Sequence, residues 1–290
     1  MSRPSPVAFF KQSLKSEAFY ADEIINIYLM RPLAAVVVWF LYPTSITPNQ
    51  VTIIAVLIGF FAAIVYTFGT PVAIALAGFL VTAKDIFDDA DGQLARAKQL
   101  YSRRGRFLDS LGDVAVDIAI FSAITFVLYH SDPTPITVIL GIAGLFGITL
   151  RVSYHVYYQA SFLHLEDHYK LNRIIERVTE DDKRGDPVAL RLQILFNIVY
   201  GWQDRLMHRI DSWCKGKFLS EQQVKVWYTD RAGLRMSGLL GFGTEFALLT
   251  ICSLLNALHV YLLLNLFLMN GILLISILYR RIILRSRLMR

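Results

Sequence analysis

The chain has 290 residues, of which 55% are hydrophobic and 18% charged, with a formal net charge of +6. These averages conceal three blocks: Pro32 to Ala83 holds no Lys, Arg, Asp or Glu, Ile118 to Leu150 holds one acid (Asp132), and Met236 to Tyr279 holds one (Glu245). Soluble domains spread about 25% charged residues fairly evenly, so a soluble fold is excluded. With two cysteines, Cys214 and Cys252, a disulfide-stapled chain is excluded too.

Residues 1–50 read as an N-terminal juxtamembrane segment. Its first residues are polar and its first apolar run leads into further spans, so no signal peptide is expected. The apolar piece Pro32 to Tyr42 is too short to cross a bilayer and is expected to lie in the interface as an amphipathic helix, before the turn Thr47-Pro48-Asn49. A hydrocarbon core of about 30 Å takes about 20 helical residues to cross. Cutting the apolar blocks at Gly69-Thr70-Pro71, at Asp132-Pro133-Thr134-Pro135 and between Asn256 and His259 predicts six spans: Val51 to Phe68, Val72 to Ala95, Phe107 to Tyr129, Ile136 to Tyr158, Gly238 to Leu255 and Val260 to Ile282. The fold class is therefore an all-α membrane protein. Residues 51–158 hold the first four spans, 159–235 a helical insertion, and 236–290 the last two spans with a basic tail.

The turns after the first, third and fifth spans contain none of the 29 Lys and Arg residues. Cations near span ends stay in the cytoplasm, so both termini and the insertion are expected there, where the positive charge either fixes topology or also meets anionic headgroups. Between Gln159 and Ala232 the chain carries 12 basic and 11 acidic residues, a soluble composition. Asp186-Pro187 looks like an N-cap followed by proline at the first helical position. Leu195, Val199, Trp202, Leu206, Ile210 and Trp213 recur at helical spacing, and Ser220 with Gln223 resembles a capping box. This insertion is expected to pack beneath the spans or lie on the membrane, with a separate catalytic domain as the competing reading; His164, Asp167 and His168 read as a solvated helical face.

Seven of the 23 acids fall between Asp85 and Asp117, at the cytoplasmic ends of the second and third spans. Carboxylates at such depth are costly, and function is the default explanation. Asp85, Asp88 and Asp91 are three apart, and Asp109, Asp113 and Asp117 are four apart, so each set forms a stripe on its helix. Two antiparallel helices facing each other with these stripes bring four or more carboxylates together, which divalent cations would neutralise. All-oxygen ligands suit Mg²⁺, Mn²⁺ or Ca²⁺ and argue against zinc. Four carboxylates could hold two ions, the arrangement that clamps a phosphate during in-line displacement. Gly92, Gly105 and Gly112 leave room for close approach. Arg96 could reach a phosphate, and Arg103, Arg104 and Arg106 add positive potential at the mouth.

Asp88-Asp89-Ala90-Asp91-Gly92-Gln93-Leu94-Ala95-Arg96, then Gly105, Asp109 and Asp113, resembles the motif of the CDP-alcohol phosphatidyltransferase family, D-x2-D-G-x2-A-R-x8-G-x3-D-x3-D, at every specified position. The preceding Thr47-Pro48-Asn49-Gln50-Val51-Thr52 is also similar to the family's segment before its first span. The resemblance implies a membrane enzyme that transfers a substituted phosphate from a CDP-alcohol to a second alcohol and releases CMP. It implies two bound Mg²⁺ or Mn²⁺ ions at Asp88, Asp91 and Asp109, with Asp113 contributing to the metal site and acting as general base. It places Asp88, Gly92, Ala95, Arg96 and Gly105 at the CDP pocket.

Asp85, Asp89 and Asp117 are extra to that motif. Asp85 and Asp117 are expected to pair with Lys84 or support the metal ligands, and Asp89 to sit at the mouth. Arg151 and His155 follow one face of the fourth span, and with Glu245 they are candidate acceptor-binding residues; a snorkelling Arg151 and a structural hydrogen bond at Glu245 are the competing readings. Expected partners are a CDP-linked donor, an acceptor alcohol, at least one of them a lipid, and the bilayer. A homodimer is compatible with the sequence, and no nucleic acid is expected. The donor is CDP-diacylglycerol with a polar alcohol or alcohol phosphate as acceptor, or alternatively CDP-choline or CDP-ethanolamine with diacylglycerol. A divalent-cation transporter is the alternative of another class; it gains nothing from Gly92, Arg96 and Gly105.

Overall fold

Prolines open most of the long helices, because the N–H that proline lacks has no partner in a first helical turn. The computed structural model describes residues 20–165, 176, 178–216 and 220–289, and no β-strand occurs among them. Helix α1 spans Asn26–Leu41 and is short and apolar, so the expected piece from Pro32 to Tyr42 is helical. Helix α2 (Pro48–Thr67) starts at a capping box: Thr47 accepts from the Gln50 backbone, and Gln50 accepts from the Thr47 N–H at 2.8 Å. Helix α3 (Pro71–Lys98) is capped by Thr70 and ends at Gln99, whose left-handed backbone (φ 58°) turns the chain into α4 (Arg103–Ser131). Helix α5 covers Pro135–Leu165. The insertion contributes α6 (Glu180–Arg184), α7 (Pro187–Lys215) with the expected Asp186 cap, and α8 (Glu221–Thr229) with the expected Ser220–Gln223 box. Helices α9 (Arg231–Gly238), α10 (Phe242–Leu254) and α11 (Leu258–Leu288) complete the order. Asp167 and His168 lie outside the described residues.

Five helical stretches are long and apolar enough to cross a membrane: α2, α4, α5, Arg231–Leu254 (α9 with α10) and α11. The second expected span is present as α3, but Lys84, Asp85 and Asp88 interrupt it. Its uncharged stretch from Pro71 to Ala83 rises about 20 Å against a core of about 30 Å, so the second half of this helix carries polar groups into the bundle. The fifth expected span is broken: Leu239 to Gly241 interrupt it between α9 and α10. Glu23, from the segment before α1, covers the break by accepting the Thr244 N–H at 3.1 Å. That satisfies a donor left open at the start of α10.

Helices α2, α3 and α4 form the tightest unit. A Cβ placed at Gly59 or at Gly112 would stand 2.5 Å from Val116 or Val56 respectively, so these two glycines let α2 and α4 touch backbone to side chain. Tyr66, Val81, Ile120, Ile124, Phe246, Leu249 and Tyr261 fill the core around them, while Leu57, Phe61, Phe79, Ile139, Phe267 and Leu274 face outward. The stripe predicted on α7 is helical, but Leu195, Trp202 and Trp213 of that stripe are exposed. The buried face instead carries Gln193, Gln203, Met207, Asp211 and Cys214. A polar face can be the inner one because its partners are supplied: Asp211 accepts from Tyr158 Oη at 3.1 Å, Trp227 Nε1 at 2.8 Å and Tyr228 Oη at 2.8 Å.

Candidate active site

The site lies where α3 leaves the apolar core beside the first turns of α4. Carboxylate oxygens of Asp88, Asp91 and Asp109 lie within 4.8 Å of one another. Asp109 Oδ1 is buried without a protein partner, and an unpaired buried carboxylate oxygen is expensive. Three converging hard oxygens with such an orphan fit an oxygen-ligated divalent cation. Asp113, four residues beyond Asp109, stands apart from this group: its Oδ1 accepts from Lys84 Nζ at 2.5 Å. Lys84 also lies 3.6 Å from Asp88 Oδ2 and is 1% exposed. Of the two readings of Asp85 and Asp117, pairing with Lys84 is corrected, since its ion pairs among the described residues are with Asp113 and Asp88, and support of the metal ligands is left. Lys84 sits one turn before Asp88, and Asp113 faces it from α4, so the ammonium lands between two motif acids.

Helix α2 supports the cup from below. Thr52 Oγ1 donates to Asp91 Oδ2, so the segment Thr47 to Thr52 caps its own helix and orients a motif acid. Val in place of Thr52 keeps the shape and removes the donor. We expect Thr52→Val to weaken Mn²⁺ binding by about 10-fold or more, measured by titration of the purified protein; unchanged affinity would show the bond to be idle.

The three glycines differ in what they make room for. A Cβ at Gly105 would collide with Asn49 Oδ1, and one at Gly112 with Val56, so their close approach is to α2. Gly92 opens toward the cup, where a Cβ would meet no more than Arg96 at 3.5 Å. Ala95 is half-buried and Arg96 exposed at the end of α3. Asp89 Oδ2 and Asp85 Oδ2 are buried without hydrogen-bond partners; Asp85 is buried as a whole, whereas Asp89 is half-buried.

The arginines at the mouth meet acids of the insertion. Arg103 Nη2 and Arg106 Nη2 lie 2.6 and 3.0 Å from the two Glu176 oxygens, Arg103 also bonds Asp182, and Arg104 Nη2 donates to Asp186 at 2.5 Å. The Arg104 hydrogen bond holds the Asp186 carboxyl below the usual carboxylate range. The positive potential expected there is thus largely offset, which the sequence could not show because the partners are about 75 residues away. The insertion also reaches the acid stripe itself. Tyr200 Oη donates to the Ser110 carbonyl at 2.7 Å, and burial, then the Asp113, Asp117 and Asp109 carboxylates, push its phenol up.

Two candidate acceptor residues find each other. Arg151 Nη2 donates to Glu245 Oε2 at 2.7 Å, and Arg151 Nη1 bonds the Asn265 carbonyl at 2.9 Å and Asn270 Oδ1 at 2.7 Å. The guanidinium is fully buried, so it does not snorkel. The Asn265 carbonyl is offered by a widened helical turn, Leu264–Met269, within α11. Glu245 Oε1 accepts from Tyr261 at 2.8 Å. His155 is buried with Nε2 3.9 Å from Glu23 Oε1.

Residues 45–208, more than half of the chain, match the family model described as CDP-alcohol phosphatidyltransferase. The chain belongs to this family. As a CDP-alcohol phosphatidyltransferase family member it holds all the motif acids on the two facing helices just described, and the matched region extends through most of α7. Among curated proteins it resembles "Bifunctional IPC transferase and DIPP synthase" of Archaeoglobus fulgidus, 37% identical over 110 residues, which is 38% of this chain and 20% of that protein. Proteins of the same name from Aquifex aeolicus (37% identical over 108 residues, 37% of this chain and 23% of that protein) and Thermococcus kodakarensis (34% over 110 residues, 38% and 24%) match similarly. The chain thus spans about a quarter or less of the length of these relatives.

Proposed function

We propose that this protein transfers a substituted phosphate from a CDP-linked donor to an acceptor alcohol in phospholipid synthesis, releasing CMP. The observation that carries the reading is the convergence of Asp88, Asp91 and Asp109 beside a separately held Asp113. In the reaction the acceptor oxygen bonds to the phosphorus that bears the donor's alcohol. The bond from that phosphorus to the oxygen of the departing CMP breaks, and the acceptor's proton passes to Asp113. Asp88, Asp91 and Asp109, with Asp113 contributing, would hold Mg²⁺ or Mn²⁺, two ions by family precedent, which when bound supply charge neutralisation for the pyrophosphate. Gly92 leaves the open face against which a nucleotide can lie, with Ala95 and Arg96 one turn further and Gly105 across the turn. Arg96 is exposed and positioned to meet a phosphate oxygen.

CDP-diacylglycerol with a polar alcohol or alcohol phosphate is the donor and acceptor pair we favour. CDP-choline or CDP-ethanolamine with diacylglycerol is the alternative. The relatives' printed name, a transferase and a synthase, supports group transfer over cation transport. The acceptor pocket is assigned to the α5 and α10 side, around His155, Arg151 and Glu245. By the distribution of cations the active site and both termini face the cytoplasm, and the exposed apolar stripe of α7 would rest on the same membrane surface. In a test panel, purified protein with Mn²⁺ is given each donor against several alcohols, and CMP release is measured. CMP release dependent on both donor and acceptor is expected; none from any pair, with Mn²⁺ bound, would sink the assignment.

A further inference from the structure

Helix α7 meets the bundle along one face. Phe196 packs on Phe107 at 5.3 Å between ring centroids, and Tyr200 Oη donates to the Ser110 carbonyl at 2.7 Å. Further on, Asp211 accepts from Tyr157 Oη at 3.2 Å and Tyr158 Oη at 3.1 Å, and Cys214 Sγ lies 3.8 Å from the Ile277 carbonyl. These partners belong in turn to the start of α4, the end of α5 and the last third of α11, which share one end of the bundle. The 29 residues of α7 extend roughly 43 Å. A helix that touches three span ends in succession over that length runs along the membrane plane. Its partners lie in the last turns of the spans themselves, so its outer face stands at the level of the lipid headgroups.

That outer face is sorted by charge. At spacings of three and four it presents Arg191, Leu195, Ile198, Trp202, Arg205 and Arg209, all exposed, with Ile198 at 70%. Trp213 closes the row. Both acids of the helix lie off this face, Asp211 fully buried and Asp204 half-buried. Water is a poor solvent for the apolar members and hydrocarbon for the guanidiniums. A bilayer interface suits both, with the apolar side chains in the acyl boundary and the longer cations reaching up to the phosphates. Three cations with no acid among them favour a headgroup of net negative charge.

We propose that α7 is an interfacial helix whose outer face binds anionic phospholipid headgroups. The inference rests on the placement of this stripe at the membrane surface and is independent of the phosphotransfer reading. The test places a fluorophore on Ile198→Cys in the full-length protein; Cys214 and Cys252 are buried and do not compete for label. The protein is reconstituted in vesicles of phosphatidylcholine and phosphatidylglycerol, with a shallow acyl-chain nitroxide carried by one lipid or the other. Both lipids should quench the label and aqueous acrylamide should not. Phosphatidylglycerol should be enriched beside the label by about threefold or more over phosphatidylcholine. Raising the salt from about 0.05 to about 0.5 M should bring the two lipids close to equality, as should Arg205→Gln combined with Arg209→Gln at low salt. Equal quenching by the two lipids at low salt overturns the proposal, and so does a preference that salt leaves unchanged. A label quenched by acrylamide and by neither lipid overturns the surface placement with it. Shielding from all three quenchers would mean that a second copy of the chain covers this face, and overturns the proposal too. If the arginine variant yields no monodisperse protein, the salt series decides. Nothing in this experiment reads turnover, so a protein that releases no CMP leaves its result standing.

Discussion

Asp113→Asn should lower CMP release by about 10²–10⁴-fold, the range a positioned general base contributes, while Mn²⁺ and nucleotide binding stay close to wild type. Asp91→Asn should lose turnover and Mn²⁺ affinity together, and should retain less nucleotide than Asp113→Asn. The contrast follows from geometry. Asp91 shares the trio whose oxygens lie within 4.8 Å and is oriented by Thr52, whereas Asp113 spends one oxygen on Lys84. Asparagine keeps the shape of either side chain but supplies one neutral acceptor in place of two anionic oxygens. A trio member that becomes neutral weakens the pull on a cation, and a base that becomes neutral has no affinity for a proton at working pH. Equilibrium Mn²⁺ titration and single-turnover CMP release on the two variants separate these effects. Wild-type turnover in Asp113→Asn would show that another group takes the proton. Equal loss of Mn²⁺ in both variants would return Asp113 to the metal set.

The second large effect is expected at Arg151 and Glu245. Either partner alone, as Arg151→Leu or Glu245→Leu, should cost about 3–5 kcal/mol, because a fully desolvated charge is left without its counterion. The pair is 0% and 1% exposed at the side chain. The double variant, Arg151→Leu with Glu245→Leu, should recover much of that loss, since apolar side chains of similar volume can replace a buried ion pair at little net cost. Thermal unfolding in detergent measures both, and the double-mutant cycle isolates the interaction. The same variants decide the acceptor assignment. With the pair serving only to join α5, α10 and α11, the double variant keeps the acceptor KM near wild type. If Arg151 contacts an acceptor phosphate, that KM rises tenfold or more while the donor KM does not move. An acceptor reaching Arg151 must displace Glu245, so affinity for it would carry the cost of breaking a 2.7 Å contact.

Much of the architecture was legible in the sequence because it depends on short-range rules. Thr47, Thr70 and Asp186 each stand before a proline, and each caps a helix that the proline opens. The expected spans fall largely on helices, with a charged second half in α3 and a break before α10, since uncharged runs of that length have few other ways to satisfy their backbone in lipid. The acid stripe was legible for the same reason: spacings of three and four fix side chains to one face whatever lies opposite.

Other features were not legible because they join distant residues. Nothing local says that Glu23 covers the break before α10, that Glu176, Asp182 and Asp186 cancel the mouth arginines, or that the inner face of α7 is its polar one. In each case burial is decided by whether a partner from another element supplies the hydrogen bond or charge. Sequence periodicity records apolar character, and apolar stripes can face lipid as readily as a core.

The 52 uncharged residues from Pro32 to Ala83 placed the chain in a membrane, and the acids that follow marked the candidate site. Spacing alone allowed four equivalent carboxylates. The crossing of α3 and α4 broke that equivalence by setting Lys84 against Asp113 and leaving Asp88, Asp91 and Asp109 together. Charges four residues apart are fixed by helical geometry, but which opposite charge each one meets depends on how two helices are held. Here α2 packs against both, and its contact with α4 runs through Gly59 and Gly112.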